Sequence, residues 1–331
     1  MKPLLALVCL FLFSPSLAFA DYQHARPDSH APIGVMGDHT HKEGEFMLSY
    51  RYGFMKMDGN RDGSSSVSTA GVLSDFMVSP LEMDMEMHML GGMFAPSDWL
   101  TLMFMVPYLD ISMDHVNRMG REFSTQTSGL GDVKLTSLWR VYENDHHHVH
   151  INSGLSLPSG EIDETDDTPA GADSHLPYAM QLGSGTFDLM PGVTYTGQCE
   201  RVSWGAQGIG TVRIDRNDND YALGDRFDSS VWFSYFASEW FSPSLRLTWS
   251  KWGNVDGQDL KLNPMMVPTA DAHRRAGEQS DIGVGLNFMV REGALRSLRI
   301  ATEFLFPIYR HLDGPQLETD WKLVTGVQYA F

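Results

Sequence analysis

The sequence of 331 residues contains only two cysteines. Cys9 lies in an apolar stretch near the N-terminus, so a chain processed after that stretch keeps Cys199 alone. A lone cysteine cannot form an internal disulfide bond. The fold must therefore be held together by other interactions.

Basic residues and long apolar runs are also scarce. The chain has 24 Lys and Arg against 42 Asp and Glu, which gives a net charge of −18. This acidic balance argues against nucleic acid as a partner, because nucleic-acid-binding proteins present basic surfaces. After the first twenty residues, no apolar run reaches the ~18 residues of a membrane-spanning helix.

The first twenty residues have the organisation of a secretory signal peptide. Lys2 precedes an apolar run from Leu4 to Phe13, and the stretch ends on small residues at Ala18 and Ala20. Such a segment is removed during export. We predict a signal peptide over residues 1–20, cleaved before Asp21, and a protein outside the cytoplasm.

The last eleven residues, WKLVTGVQYAF, alternate between two kinds of side chain. A strand with this period has one apolar face and one small or polar face. In outer-membrane barrels the apolar face meets lipid and the other face meets the lumen. We expect this strand, which ends on Phe331, to be recognised by the barrel-assembly machinery. The apolar face comprises Trp321, Leu323, Thr325, Val327, Tyr329 and Phe331.

The same alternation recurs along the chain, and long polar connections alternate with short turns. This pattern predicts an all-β fold, a transmembrane antiparallel up-and-down β-barrel of about twelve strands over residues 44–331, with both termini periplasmic. Soluble β-sandwiches and solenoids also alternate. Long strands with aromatic residues near their ends favour the barrel in the outer membrane. The predicted strands are 44–57, 81–95, 98–113, 127–142, 145–158, 183–196, 200–214, 224–237, 239–253, 279–291, 295–309 and 317–331.

Residues 82–89, EMDMEMHM, alternate charged or histidine side chains with methionines. A charge that faces lipid near mid-bilayer is costly. The methionines are therefore predicted to face lipid, and the other residues the lumen. Two interpretations stay open: a salt-bridged lumen that sets the pore width, or a charged constriction that selects solutes. The predicted lumen residues are Glu82, Asp84, Glu86 and His88, with Arg51, Arg140, Arg213 and Arg246 from other strands.

Residues 21–43 are rich in histidine and predict a periplasmic arm or plug. Imidazole and carboxylate ligands suit copper or zinc. Histidine-rich tracts are also compositional signals without a site, so a solvated polar arm is the alternative. No other cofactor is predicted. The candidate metal ligands are His24, His30, Asp38, His39 and His41.

Several blocks resemble a group of proteobacterial outer-membrane proteins filed under a putative phenol meta-cleavage pathway family. These are residues 31–52, 128–135, 176–197, 262–271 and 312–331, which span nearly the whole chain after residue 30. The resemblance implies a β-barrel transporter for small, aromatic or hydrophobic molecules. It supplies no catalytic or ligand-binding residues.

Two functions follow from these observations. The first is an outer-membrane channel or transporter for small solutes, and the alternative is the handling of copper or another metal at the outer membrane. An enzyme is not expected. The nearest nucleophile–base pair is His150 and Ser153, and the alternation places these two side chains on opposite faces of one strand.

Overall fold

The computed structural model describes residues 26–331. The predicted signal peptide, its cleavage site and His24 lie outside the described residues. No helix within residues 26–331 is long and apolar enough to cross a membrane.

Residues 26–331 form seventeen strands, one α-helix and two 3-10 helices. Helix α1 is Thr69–Asp75, and the 3-10 helices are Tyr178–Met180 and Pro268–Ala270. The strands are β1 (Phe46–Gly63), β2 (Ser65–Val67), β3 (Val78–Ser97), β4 (Leu100–Asn117), β5 (Glu122–Leu130), β6 (Lys134–Glu143), β7 (His147–Ser156), β8 (Thr165–Thr168), β9 (Gly171–His175), β10 (Phe187–Gln198), β11 (Val202–Ile214), β12 (Tyr221–Ala222), β13 (Arg226–Tyr235), β14 (Phe241–Trp252), β15 (Asp256–Gly257), β16 (Gly277–Met289) and β17 (Arg299–Ala330).

Eleven of these strands form a closed antiparallel barrel. Around the wall they follow the order β1, β3, β4, β6, β7, β10, β11, β13, β14, β16 and β17, and β17 pairs with β1 to close the sheet. Closure leaves no unpaired strand edge in the wall, which is the condition for crossing a bilayer with strands. Strands β2 and β5 extend the sheet from β1 and β4.

The long strand β17 makes two passes of the wall. Its first part, up to Leu312, pairs with β16. Its second part pairs with β1, and this pairing has no register shift from Trp321 to Ala330. The two parts also contact each other: Phe304 stacks on Trp321 at 5.1 Å, and Thr325 donates a hydrogen bond to the carbonyl of Ala301. The eleven strands therefore make twelve passes, and the predicted barrel is confirmed.

The two ends of the barrel differ. At one end short turns join the strands, as between Ser97 and Leu100. At the other end long loops carry α1, both 3-10 helices and the β8–β9 hairpin. Leu176 and Met180 from one of these loops are buried against Met83 and Met113 of the wall. We call these the short-turn end and the loop end, and the loops cover the mouth at the loop end.

The outer face of the wall is apolar and exposed, and the inner face is largely polar and buried. Side chains predicted to face outward, such as Trp139, Ile151 and Ile282, are exposed. Their polar neighbours in the sequence, such as His150, Asn152 and Asp281, are buried inside. Alternation therefore predicted the two faces of these strands correctly.

The predicted orientation of residues 82–89 is wrong. Met83 and Met89 are only 4% and 6% exposed and belong to buried clusters inside the barrel. The side chains of Glu82 and Asp84 are 44% exposed and form ion pairs with Lys56 at 2.9 Å. Glu86 and His88 share that outer face, as does the exposed Leu90.

Strand length explains this error. A strand needs ~9–11 residues to cross a bilayer, whereas β3 has 20 residues. Exposed apolar residues of the outer face appear at Leu90 and Phe94, toward the short-turn end of β3. Glu82, Asp84 and Glu86 lie closer to the loop end, and charges there need not face lipid.

Candidate functional site

Residues 26–43, which we call the N-terminal segment, enter the barrel lumen from the short-turn end and return to it. At one end of the segment, Arg26 donates a hydrogen bond to the carbonyl of Cys199 at 3.2 Å. At the other, Gly44 donates to the carbonyl of Ala95 at 2.8 Å. Cys199 and Ala95 both lie at the short-turn end, and the residues between them reach into the barrel.

Polar side chains from several strands hold the backbone of the N-terminal segment. The Arg51 Nε donates to the carbonyl of Ile33 at 3.1 Å, and the His150 Nε2 to that of Gly37 at 2.9 Å. The Gln207 Nε2 donates to the carbonyl of Met36 at 2.9 Å. These side chains come from β1, β7 and β11, so hydrogen bonds from different sides of the barrel hold the segment.

Apolar contacts complete the packing of the segment. Val35 and Ala31 form a buried cluster with Trp232. Met36 packs against a buried cluster of the wall. Methionine is flexible and fills irregular gaps, which gives the inward methionines a structural role. That cluster contains Met47, Met89, Met93, Met103, Met105 and Leu138.

A hydrogen bond of Asp38 and a turn at Gly37 fix the conformation of the segment. The Asp38 carboxylate accepts a hydrogen bond from the Ala31 backbone at 2.9 Å, which closes a loop of the chain. Gly37 has a φ of 61°, a left-handed conformation that glycine adopts without steric cost. The turn at Gly37 then aims its carbonyl at His150.

Three of the predicted metal ligands converge on this loop. The His39 Nδ1 lies 2.8 Å from the Asp38 carboxylate, and the His30 Nδ1 lies 3.8 Å from it. One ligand atom from each of these residues lies within 4.8 Å of the others. Burial lowers the pKa of His30 to about 3, so this imidazole is neutral, which is the form that binds metals.

The third histidine of the segment, His41, lies beside this cluster. The His41 ring is 4.9 Å from the ring of His39, centroid to centroid, and its Nδ1 is 3.1 Å from the Glu45 carboxylate. A small cavity of about 50 Å³ adjoins Asp38, His39 and His41. Two imidazoles and a carboxylate form a donor set that suits zinc or copper.

The four predicted lumen arginines all lie on the inner face, and each has a partner. Arg51 holds the N-terminal segment, as described above, and Arg140 pairs with Glu143. Arg213 pairs with the buried Asp188, and the Arg246 Nε lies 2.8 Å from the Glu303 carboxylate. Three of the four lumen arginines are therefore in ion pairs, and the fourth, Arg51, binds the N-terminal segment.

Glu303 is a central residue that sequence reasoning missed. It lies on the inner face of β17, is fully buried, and accepts a hydrogen bond from the Gly34 backbone at 3.0 Å. Its neighbours on the same face, Ala301 and Leu305, are apolar, so this face of β17 does not show a series of polar residues in the sequence. The signal in the sequence is the apolar series Ile300, Phe304 and Phe306, which alternates with Glu303 and so assigns Glu303 to the inner face.

The pair His150 and Ser153 is separated as predicted. His150 is buried in the lumen against the N-terminal segment, whereas Ser153 is exposed on the outer face. The two residues therefore cannot act together.

Solved structures that resemble this one include an outer-membrane channel. A COG4313 outer membrane channel from Pseudomonas putida F1 superposes with a TM-score of 0.61 at 15% identity, over 90% of this chain and 100% of that one. The transport unit of the Escherichia coli autotransporter AIDA-I gives 0.48 at 11% identity, over 90% and 94% of the two chains. A Pseudomonas aeruginosa FadL homologue gives 0.42 at 12% identity, over 86% and 89%.

Comparisons of sequence alone add nothing further. No protein-family profile and no curated protein matches the chain. The P. putida channel shows that the fold is that of an outer-membrane barrel. The outer-membrane barrel expected from the resemblance is thus confirmed, and the narrower meta-cleavage family stays a prediction.

Proposed function

We propose that this protein is a channel of the bacterial outer membrane that passes small solutes through its lumen. The observation that carries this proposal is a closed barrel with an apolar outer face and a polar inner face. Such a wall is stable in lipid and encloses a hydrated path. Aromatic or hydrophobic compounds are the solute class that we favour.

In this proposal the loop end faces the outside and the short-turn end faces the periplasm, as is usual for bacterial outer-membrane barrels. Phe46 and Phe331 lie at the short-turn end, where the Phe331 backbone donates to the carbonyl of Phe46 at 2.7 Å. Both ends of the described chain are then periplasmic. The C-terminal strand is available to the barrel-assembly machinery, and the signal peptide directs export.

The N-terminal segment acts as a plug in this channel. It occupies the lumen at the level of Arg51, His150 and Gln207. It also contacts Glu303 on β17, across the barrel from His150. Solutes can pass that level only when the segment moves aside.

Conductance across a planar lipid bilayer tests both parts of the proposal. We would compare the full chain with a variant that lacks residues 26–41, each checked for folding by its heat-dependent migration in gels. We expect the deletion to conduct strongly and the full chain weakly. Equal conductance would refute the plug. Failure of both proteins to conduct or to pass any small solute into liposomes would refute the channel.

A second candidate function is metal handling, which the cluster of His30, Asp38 and His39 favours. Zinc or copper bound there would tie together residues 30 and 39 and so fix the plug in the lumen. The chain would supply two imidazoles and one carboxylate, which leaves further positions open for water or His41.

Metal titration of the refolded full chain tests this function. We expect one zinc or copper ion per chain, with binding lost in His39→Ala and in Asp38→Asn. The matched control is His146→Ala, which removes an exposed histidine at the turn before β7. Equal binding by all four proteins would place the metal elsewhere and refute the cluster as the site.

A further inference from the structure

A second cavity of about 350 Å³ lies at the loop end, inside the wall and beyond the N-terminal segment. We call it the upper cavity. Its volume falls in the range of ~300–1,000 Å³ that is typical of small-molecule sites. One side is apolar and formed by methionines and leucines of the wall. That side comprises Met55, Met57, Met83, Met113, Leu312 and Leu317.

Three basic residues, Arg226, Arg275 and Lys322, also line the upper cavity. Arg226 forms two hydrogen bonds of 2.7 Å with the carboxylate of Asp228. The Lys322 Nζ lies 2.9 Å from the carboxylate of Asp281. Two of the three positive charges are therefore already neutralised.

Arg275 differs from the other two. Within residues 26–331, its guanidinium has no ion pair or hydrogen bond. Burial lowers the pKa of Arg275 to about 10, so the side chain still carries its charge at neutral pH. Arg275 is half-buried, and its guanidinium lines the cavity. A charge partly removed from water without a partner is unfavourable, and a bound anion offsets that cost.

The backbone around Arg275 is fixed rather than loose. The side-chain oxygen of Asn254 accepts hydrogen bonds from the backbone of Arg275 at 2.8 Å and of Ala276 at 2.7 Å. The Trp252 Nε1 donates to the carbonyl of Arg275 at 2.7 Å. The loop thus holds the backbone of Arg275 in a defined position at the cavity, and its unpaired guanidinium lines that cavity.

We propose that the upper cavity binds a small organic anion with an apolar body, of the class of aromatic carboxylates. The carboxylate pairs with Arg275, whose planar guanidinium can donate two parallel hydrogen bonds. The ring lies against the methionine side, where sulfur–aromatic contacts are favourable. This inference rests on the proposed function, since the anion is then a solute on its way through the channel.

Calorimetric titration of the full chain in detergent micelles tests the site, with benzoate, benzamide and acetate as probes. Benzamide keeps the ring and removes the charge, whereas acetate keeps the charge and removes the ring. We expect benzoate to bind one per chain, and more tightly than either of the others. Acetate or benzamide binding as tightly as benzoate would overturn the proposed ligand class.

Two variants assign the contact. Arg275→Gln should weaken benzoate binding by about ten- to a hundredfold, the range expected for a charged hydrogen bond. The matched control is Arg274→Gln, because Arg274 pairs with Asp271 and does not line the cavity. Equal benzoate affinity in wild type and a folded Arg275→Gln would refute the site.

If Arg275→Gln does not fold, Met57→Gln provides a second test at the methionine side of the cavity. It should weaken benzoate binding and leave acetate binding unchanged, and an unchanged benzoate affinity would refute the site. Benzoate uptake into liposomes separates this inference from the channel. Binding that depends on Arg275 without any solute flux would refute the channel and keep the site. Solute flux without binding that depends on Arg275 would refute the site and keep the channel.

Discussion

Glu303 on the barrel wall accepts a hydrogen bond from the Gly34 backbone at 3.0 Å while its carboxylate also lies 2.8 Å from the Arg246 Nε. A single buried carboxylate therefore joins the N-terminal segment to the charged inner wall. Arg299, on the same strand, donates to the carbonyl of Ala31 and to Asn287. The same residues therefore hold the N-terminal segment in place and balance the charges in the lumen.

Neutralising this carboxylate should destabilise the barrel. Glu303→Gln leaves buried arginines short of a counter-charge, and breaking a buried ion pair costs ~3–5 kcal/mol. We expect a decrease of that order in the free energy of unfolding, measured by urea titration in lipid vesicles. Asp256→Asn is the control, because its pair with Arg216 is exposed, and no change is expected there. An equal effect of both substitutions would contradict a special role for Glu303.

Crowding the turn of the N-terminal segment should open the channel. A Cβ on Gly37 would meet the side chains of Asn152 and Leu138 at 3.3 Å, and its φ of 61° already disfavours other residues. We expect Gly37→Val to raise bilayer conductance toward that of the deletion variant.

Gly120→Val is the matched control for this substitution. Gly120 has a similar φ of 76°, but a Cβ added there would meet nothing within 4 Å, so the strain is alike and the crowding is absent. Conductance should not change. If Gly37→Val also conducts like the wild type, the segment does not block the path at this level.

The sequence predicted the strands and their two faces well, because alternation is a local property of neighbouring residues. It failed at β3, because the rule that charges avoid lipid does not apply to the part of a long strand that lies beyond the bilayer. The outer face there carries Glu82 and Asp84 beyond the apolar band, and the inner face carries methionines that pack against the loops and the N-terminal segment. Which face is inside depended on contacts far away in the chain.

The candidate site was predictable only in part for the same reason. The proximity of His30, Asp38 and His39 follows from their closeness in sequence. The contacts of the segment with Glu303 and Arg299 join residues more than 260 positions apart. No local pattern indicates which luminal side chains face a segment folded into the barrel.

A positive charge on the outer face should be costly at the level of the bilayer. Leu245 is 54% exposed on β14 between the exposed Phe233 and Val284 of the neighbouring strands. We expect Leu245→Arg to lower the free energy of unfolding in vesicles by ~2–4 kcal/mol, as found for such charges near the midplane. Leu260→Arg, at a loop residue that is 79% exposed, should have no effect. A tolerated Leu245→Arg would mean that this face does not meet lipid.

The orientation of the barrel can be read from cysteine labelling of intact cells. Cys199 is an exposed free thiol at the short-turn end, so a membrane-impermeant maleimide should label it only after the outer membrane is permeabilised. A Met119→Cys variant in a Cys199→Ser background places the thiol at a loop-end residue that is 86% exposed. It should react in intact cells. The opposite pattern would put the long loops in the periplasm, and solutes from outside would then meet the N-terminal segment before they reach Arg275.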